Sequence, residues 1–241
     1  MRPDVQCEGA GKSGDHEGEK YVKPRRSIRY RTPSSVEAQF QPGSRGRVLT
    51  NRLGITSKSA MDRAEYEALL TAQQRYLKRV TNETRFTAAL LCQMHKDWLG
   101  GIYEWAGRYR TVELEKGCFR WPPAYRVAEN MAAFENGLLR RHTPCRPGAL
   151  NEVARPIAEV HAELLLIHPF REGNGRLARW LADLMCLQAG LPVPSYGFTG
   201  RGSKGNQEQY LRAVGEAYLR DYDALTAVFA EAIGRRLPED R

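Results

Sequence analysis

The sequence predicts an all-α domain carrying one small β-hairpin. Three observations predict it. From Val48 onward, apolar residues recur mostly at helical spacing; Gly and Pro separate the runs; and a single stretch between Thr111 and Trp121 alternates with period two.

Taken in order, the elements are these. Ser59 followed by Asp62 reads as a capping-box variant, and Tyr66, Leu69, Leu70, Tyr76, Leu77 and Val80 then recur at helical spacing. A second helix is predicted over 87–99, closed by Gly100–Gly101. Thr111-Val112-Glu113-Leu114 alternates, Lys116-Gly117 can turn the chain, and Cys118-Phe119-Arg120-Trp121 alternates back before Pro122-Pro123, which predicts a two-stranded hairpin. Helices follow over 124–141 and 151–167, with Pro156 in the first turns of the latter, where its missing N–H matters least. The next runs from Asn174 to Gln188 and stops at Gly190, with Pro192 beyond. Two more are predicted over 206–219 and 223–235. No internal repeat is present.

The 241 residues have room for one ordinary domain and a tail. Residues 1–45 are rich in Gly, Ser, Pro, Arg and Glu with little apolar periodicity, and are expected to be a basic, disordered N-terminal tail; 46–241 are expected to form the folded domain. Five scattered cysteines, never in a CxxC pair, argue against a disulfide framework and a structural zinc site and fit a reducing cytoplasm. No apolar run approaches the roughly 20 residues of a membrane helix, and no hydrophobic signal core opens the chain, so a soluble protein without a membrane partner is expected. The formal charge of +9 is concentrated in part at Lys20, Lys23, Arg25, Arg26, Arg29 and Arg31. Such a run could bind nucleic acid or be a solvated tail, and the excess charge could equally line a polyphosphate pocket; charge alone does not decide.

One stretch stands apart: His168-Pro169-Phe170-Arg171-Glu172-Gly173-Asn174-Gly175-Arg176-Leu177-Ala178-Arg179. It joins two apolar helices. Gly173 and Gly175 let the backbone approach a ligand, and the first turn of the helix beginning at Asn174 offers N–H groups to an anion. Arg176 and Arg179, three apart, suit bidentate phosphate contacts. Glu172 is anomalous in an anion site unless a cation intervenes, and Mg²⁺ typically takes one or two carboxylates together with substrate phosphates. His168 has an ordinary pKa near neutrality and can accept a proton from a hydroxyl. Taken singly, each part has a plain structural reading: a helix-end histidine, a turn, a solvated helix face. Their density within twelve residues favours chemistry.

The segment resembles the signature of the Fic family, HPFx[D/E]GNGRxxR, with every specified position present. Trp105-Ala106-Gly107 with Arg110 resembles the family's WAGxxR segment, and Thr111 to Trp121 its flap hairpin. The resemblance covers roughly 48–233. It implies a protein adenylyltransferase that moves AMP from Mg-ATP to a Ser, Thr or Tyr hydroxyl of a target protein, with Mg²⁺ as cofactor and ATP as co-substrate. His168 would be the general base, and Glu172 the metal ligand. Gly173, Asn174 and Gly175 would cradle phosphate oxygens, the Asn174 side chain included. Arg176 and Arg179 would hold the rest of the triphosphate, Asn206 and Tyr210 would flank the base of the nucleotide, and Phe170 would be structural. The flap residues Leu114, Lys116, Gly117 and Phe119 would dock the target as an added strand, with Leu114 or Phe119 clamping it. A phosphorylating relative, the death-on-curing toxin, carries lysine where Gly175 stands, so the glycine favours AMP transfer.

Many such proteins are silenced by a helix carrying [S/T]xxxE[G/N], whose glutamate pairs with the second motif arginine, here Arg179. Ser13 to Gly18 fits the letters, but its Gly-rich setting is a poor helix, so the inhibitor is expected in trans, as a small antitoxin, or absent. The alternatives are a Fic-type enzyme using another donor or removing AMP, and a nucleic-acid binder acting through the basic tail. The expected location is the cytoplasm, or a host cell reached through a specialised secretion system.

Overall fold

The computed structural model describes residues 35–117 and 119–237. The basic run 20–31 and the Ser13–Gly18 match lie outside them.

Eight helices and one hairpin make up the described chain: α1 (Lys58–Arg79), α2 (Ala88–Leu99), β1 (Glu115–Lys116), β2 (Phe119–Arg120), α3 (Val127–Phe134), α4 (Arg140–His142), α5 (Leu150–Ile167), α6 (Asn174–Gln188), α7 (Ser203–Ala217) and α8 (Asp223–Gly234). The single helix expected over 124–141 is a composite. A 3₁₀ turn (Ala124–Arg126) leads into α3, and a π segment (Glu135–Leu139) joins α3 to α4.

The centre of the molecule is α5. Val153, Ala154, Ile157, Ala158, Val160, Ala162, Leu164, Leu165 and Ile167 are all buried, so the helix is covered on nearly every side. It packs against α6 and α8, and α7 closes over α8. Because α5 and α6 share one core, the loop between them, residues 168–173, is held rigidly at both ends.

The start of α1 differs from expectation. Ser57, not Ser59, is the N-cap, accepting from the N–H of Ala60. Its inward face differs too: Met61, Glu65, Leu69, Ala72 and Tyr76 are buried, whereas Tyr66, Leu70 and Leu77 are exposed. The reason is tertiary. The interior beside α1 contains polar groups that require a carboxylate, and Glu65 takes that place.

Composition also places the start of the folded part too late. Residues 35–45 dock on the core: a 3₁₀ turn (Val36–Ala38), a bridge from Phe40 to Leu49, and the bond from the buried Ser44 hydroxyl to the Val48 carbonyl tie them down. Polar contacts do this, and they leave no apolar period to read.

The hairpin is shorter than its alternating sequence. Glu115 pairs with Arg120 and Lys116 with Phe119, and Gly117 turns the chain with a φ of 63°. Trp121 N–H donates to the Leu114 carbonyl at 3.1 Å just beyond the ladder. Val112 and Leu114 are buried and belong to the core, not to the hairpin's free face.

Candidate active site

His168 ends α5. Its backbone is left-handed (φ 51°, ψ 58°), which turns the chain sharply out of the helix. A non-glycine residue keeps that conformation only where its surroundings hold it. Here the His168 carbonyl accepts the Arg110 Nε–H at 2.8 Å, and the Pro169 carbonyl accepts the Arg110 backbone N–H at 2.8 Å. The same guanidinium donates to the carbonyls of Val112 and Pro122. Arg110, buried, therefore joins both ends of the hairpin segment to the residue that closes α5.

The imidazole is oriented as well. Its Nδ1 lies 3.0 Å from the Leu165 carbonyl, which can only accept, so Nδ1 carries the proton and Nε2 keeps a lone pair. Burial pushes the His168 pKa down to about 4; the Leu165 carbonyl and Glu172 oppose the shift, and the positive charges of Arg110 and Lys116 reinforce it. The ring is neutral at pH 7.

The loop after His168 is held from beneath. Phe170 is fully buried and stacks on His95, with ring centroids 3.9 Å apart and planes 10° apart. Gly107 N–H donates to His95 Nδ1 at 2.8 Å, so His95 Nε2–H donates to the Glu172 carbonyl at 3.1 Å. His95, its pKa lowered to about 4 chiefly by burial, is thus a neutral bridge from the 105–107 turn to the loop. A side chain at Gly107 would collide with Lys96, where an added Cβ would lie 2.6 Å from its Cβ. Gly173 has φ 84° and backs onto Trp98, leaving no room for a Cβ.

Asn174 bonds Phe170 through both of its side-chain polar atoms: Oδ1 accepts Phe170 N–H at 2.9 Å, and Nδ2 donates to the Phe170 carbonyl at 2.7 Å. These two bonds stitch the loop across its width, and Asn174 lines the cleft as well. The first-turn N–H groups of Asn174, Gly175 and Arg176 have no acceptor within α6 and form the positive end of its dipole.

These groups border one open cleft of about 260 Å³, lined by Lys116, Trp121, His168, Glu172, Arg179 and Tyr210 among others. The 173–175 backbone lines it too. The Glu172 side chain is 43% exposed. Arg179 sits over the Phe198 ring at 5.6 Å. The Tyr210 hydroxyl lies 2.7 Å from Nε2 of the fully buried His161.

Two expected ligand residues lie elsewhere. Arg176 does not line the cleft: its Nη1 is 2.7 Å from the buried Glu65 carboxylate on α1 and its guanidinium lies 4.7 Å over Trp98, while its Nη2 is 3.7 Å from the Glu172 carboxylate at the cleft's border. Asn206 donates to the Gly197 carbonyl at 3.0 Å and does not line the cleft. In the hairpin, Lys116 borders the cleft, Gly117 forms the turn, and Phe119 stacks on Tyr218 at 5.3 Å. Leu114 is buried and cannot clamp a visitor.

Sequence reading missed Glu65, His95, His161 and Trp121 as parts of the site's support. None of the four carried a signal in the local spacing.

Comparison with known proteins bears on this geometry. The family model described as the Fic/DOC family matches residues 85–186, the span from just before α2 through most of α6. Protein adenylyltransferase VbhT of Bartonella schoenbuchensis is 28% identical over 181 residues, 75% of this chain and 36% of that protein. Protein adenylyltransferase Fic of Nematostella vectensis is 25% identical over 194 residues, 75% of this chain and 44% of that protein. The chain thus spans less than half the length of these two relatives. The crystal structure of BepC, a VirB-translocated effector of Bartonella tribocorum with bound AMPPNP, superposes with a TM-score of 0.61 at 19% identity, covering 80% of this chain and 93% of that one.

Proposed function

We propose, from the match of residues 85–186 to the Fic/DOC family model, that the chain is a protein adenylyltransferase of that family, moving AMP from ATP to a Ser, Thr or Tyr hydroxyl of another protein. One observation carries the reading: a neutral imidazole with a free Nε2 and the open N-terminus of a 15-residue helix border the same cleft. Proton acceptor and anion site are what transfer of a charged group to a hydroxyl requires. The names of the Bartonella and Nematostella relatives, and the AMPPNP held by BepC, support a nucleotide as donor.

In this mechanism the target hydroxyl gives its proton to Nε2 of His168 as its oxygen attacks the α-phosphorus. The bond from that phosphorus to the β-phosphate oxygen breaks, and pyrophosphate leaves. The N–H groups at Asn174 and Gly175 face the charge that builds on the transferred phosphate, and Arg179 faces the outgoing end. Arg176, paired with Glu65, fixes α6 against α1 and contributes field rather than direct contact.

The residues fit magnesium. Among the described residues no cluster of three His, Cys, Asp or Glu could cage a metal, and Glu172 is a half-exposed carboxylate at the cleft whose one ion-pair partner among the described residues is Arg176, at 3.7 Å. That set suits Mg²⁺, which relies on one or two carboxylates, substrate phosphates and water. Glu172 would hold it, and the ion when bound would neutralise phosphate charge.

Target docking on the outer edges of the two-stranded hairpin, each unpaired in the described structure, remains our reading of the flap. An inhibitory partner in trans, presenting a carboxylate to Arg179, is favoured by one fact: Arg179 forms no ion pair among the described residues. No described helix is long and apolar enough to cross a membrane.

Incubating the purified chain and its His168→Ala variant with labelled ATP, UTP or GTP in a cell lysate tests the reading. Label on protein from ATP, dependent on His168, is expected. Label from another nucleotide alone, or none in any lysate, overturns it.

A further inference from the structure

We propose that Trp121 is a positioning residue for His168, holding the imidazole in the tautomer and rotamer that leave Nε2 toward the cleft. This deepens the reading above, since it concerns the same base.

The geometry is specific. The two rings lie 4.1 Å apart with planes inclined by 35°. Trp121 Nε1–H and His168 Nδ1–H both reach the Leu165 carbonyl, each at 3.0 Å. One carbonyl has two lone pairs and can accept both. The indole therefore shares the acceptor that fixes the tautomer and covers a face of the ring it fixes.

Trp121 is itself braced. Its N–H donates to Leu114, its successor's carbonyl accepts from Arg110, and Phe119 meets its ring edge-on at 5.2 Å while stacking on Tyr218. A histidine χ2 torsion is broad and roughly two-fold, so an uncovered imidazole could exchange Nδ1 for the ring carbon at the Leu165 carbonyl. Such a flip would cost the base its orientation, and a misplacement of about 1 Å can lower a rate by about a hundredfold. The indole occupies the space that the flip needs.

Charge around the ring does not supply this restraint. Arg110 and Lys116 oppose its protonation, Glu172 favours it, and none of them bonds an imidazole nitrogen. Burial is the largest influence on the ring, and Trp121 covers one of its faces.

The test uses the full chain with ¹⁵N-labelled histidine. In the parent, the His168 ring spectrum should show the Nδ1–H tautomer at pH 7 and no protonation until well below pH 6. Trp121→Ala should give exchange between tautomers, a protonation midpoint shifted upward toward the ordinary histidine value, and kcat lowered about tenfold to a hundredfold with KM for ATP within about threefold. Trp121→Phe, which keeps the ring face and loses the N–H, should recover most of kcat. If the alanine variant fails to fold, Trp121→Leu reports the same spectrum. An unaltered tautomer and midpoint in the alanine or leucine variant overturn the proposal, as does equal loss in the phenylalanine and alanine variants. The spectrum needs no substrate, so a parent chain that transfers nothing would sink the adenylyltransferase reading and leave this one to be judged on its own.

Discussion

The Glu37 carboxylate accepts the Thr111 backbone N–H at 2.6 Å and the Thr111 hydroxyl as well, while the Glu37 carbonyl accepts Arg171 Nε–H at 2.6 Å. One residue far upstream of the motif thus ties the approach to the hairpin to the loop that carries the chemistry.

That strap makes truncation informative. A chain beginning at residue 35 keeps it, and one beginning at residue 46 loses it. Glu37→Ala should lower stability by about 1–3 kcal/mol, the typical consequence of unmaking partly buried hydrogen bonds. The chain from 46 should lose at least as much. Urea denaturation of the three proteins checks this, and equal midpoints for the chains from 35 and 46 would show that the strap contributes nothing.

His168→Ala should reduce transfer by about 10²–10⁴-fold, the usual contribution of a general base, with ATP affinity within about threefold. Because burial holds the His168 pKa near 4, the acid limb of kcat/KM in the parent should fall near pH 4 and not near 6.5. A limb at 6.5 would mean that the ring is solvated in the working enzyme.

The two motif arginines should part company. Arg179→Ala should weaken ATP binding, because Arg179 borders the cleft. Arg176→Ala should act mainly on stability, by about 1–3 kcal/mol, because it leaves the Glu65 carboxylate, 4% exposed, without its cation. Glu172→Ala should weaken Mg-ATP more than ATP alone. Calorimetric titrations paired with melting curves separate these cases, and an Arg176 variant with normal stability but no ATP binding would reverse the assignment.

Stability should also respond to mild acid. His95, His161 and His168 have pKa values lowered to about 4, about 3 and about 4, each chiefly by burial. Their unfolded values lie near 6.5, so below that pH the unfolded chain binds protons that the folded chain refuses. The neutral-histidine contribution is complete above about pH 6.5 and is lost as pH falls toward 4. Urea midpoints at pH 7.5, 5.5 and 4.5 should decline in that order; a flat profile across this window would contradict the burial of these rings.

The sequence by itself determined where α2, α5 and α6 lie and what their junctions can do. Cap, glycine and apolar period act within a few residues, so Thr87 at one helix start, Gly173 at another and the 168–179 spacing were legible without a fold. Only the tertiary structure decided how those parts are held. A stripe of apolar residues on α1 does not reveal that Glu65 turns inward, because its partner Arg176 arrives from α6. The same holds for Glu37 with Thr111, His95 with Glu172 and Trp121 with His168. Each is a polar or aromatic contact between distant segments. Its energy depends on burial that the packed core supplies, and local periodicity carries no record of it.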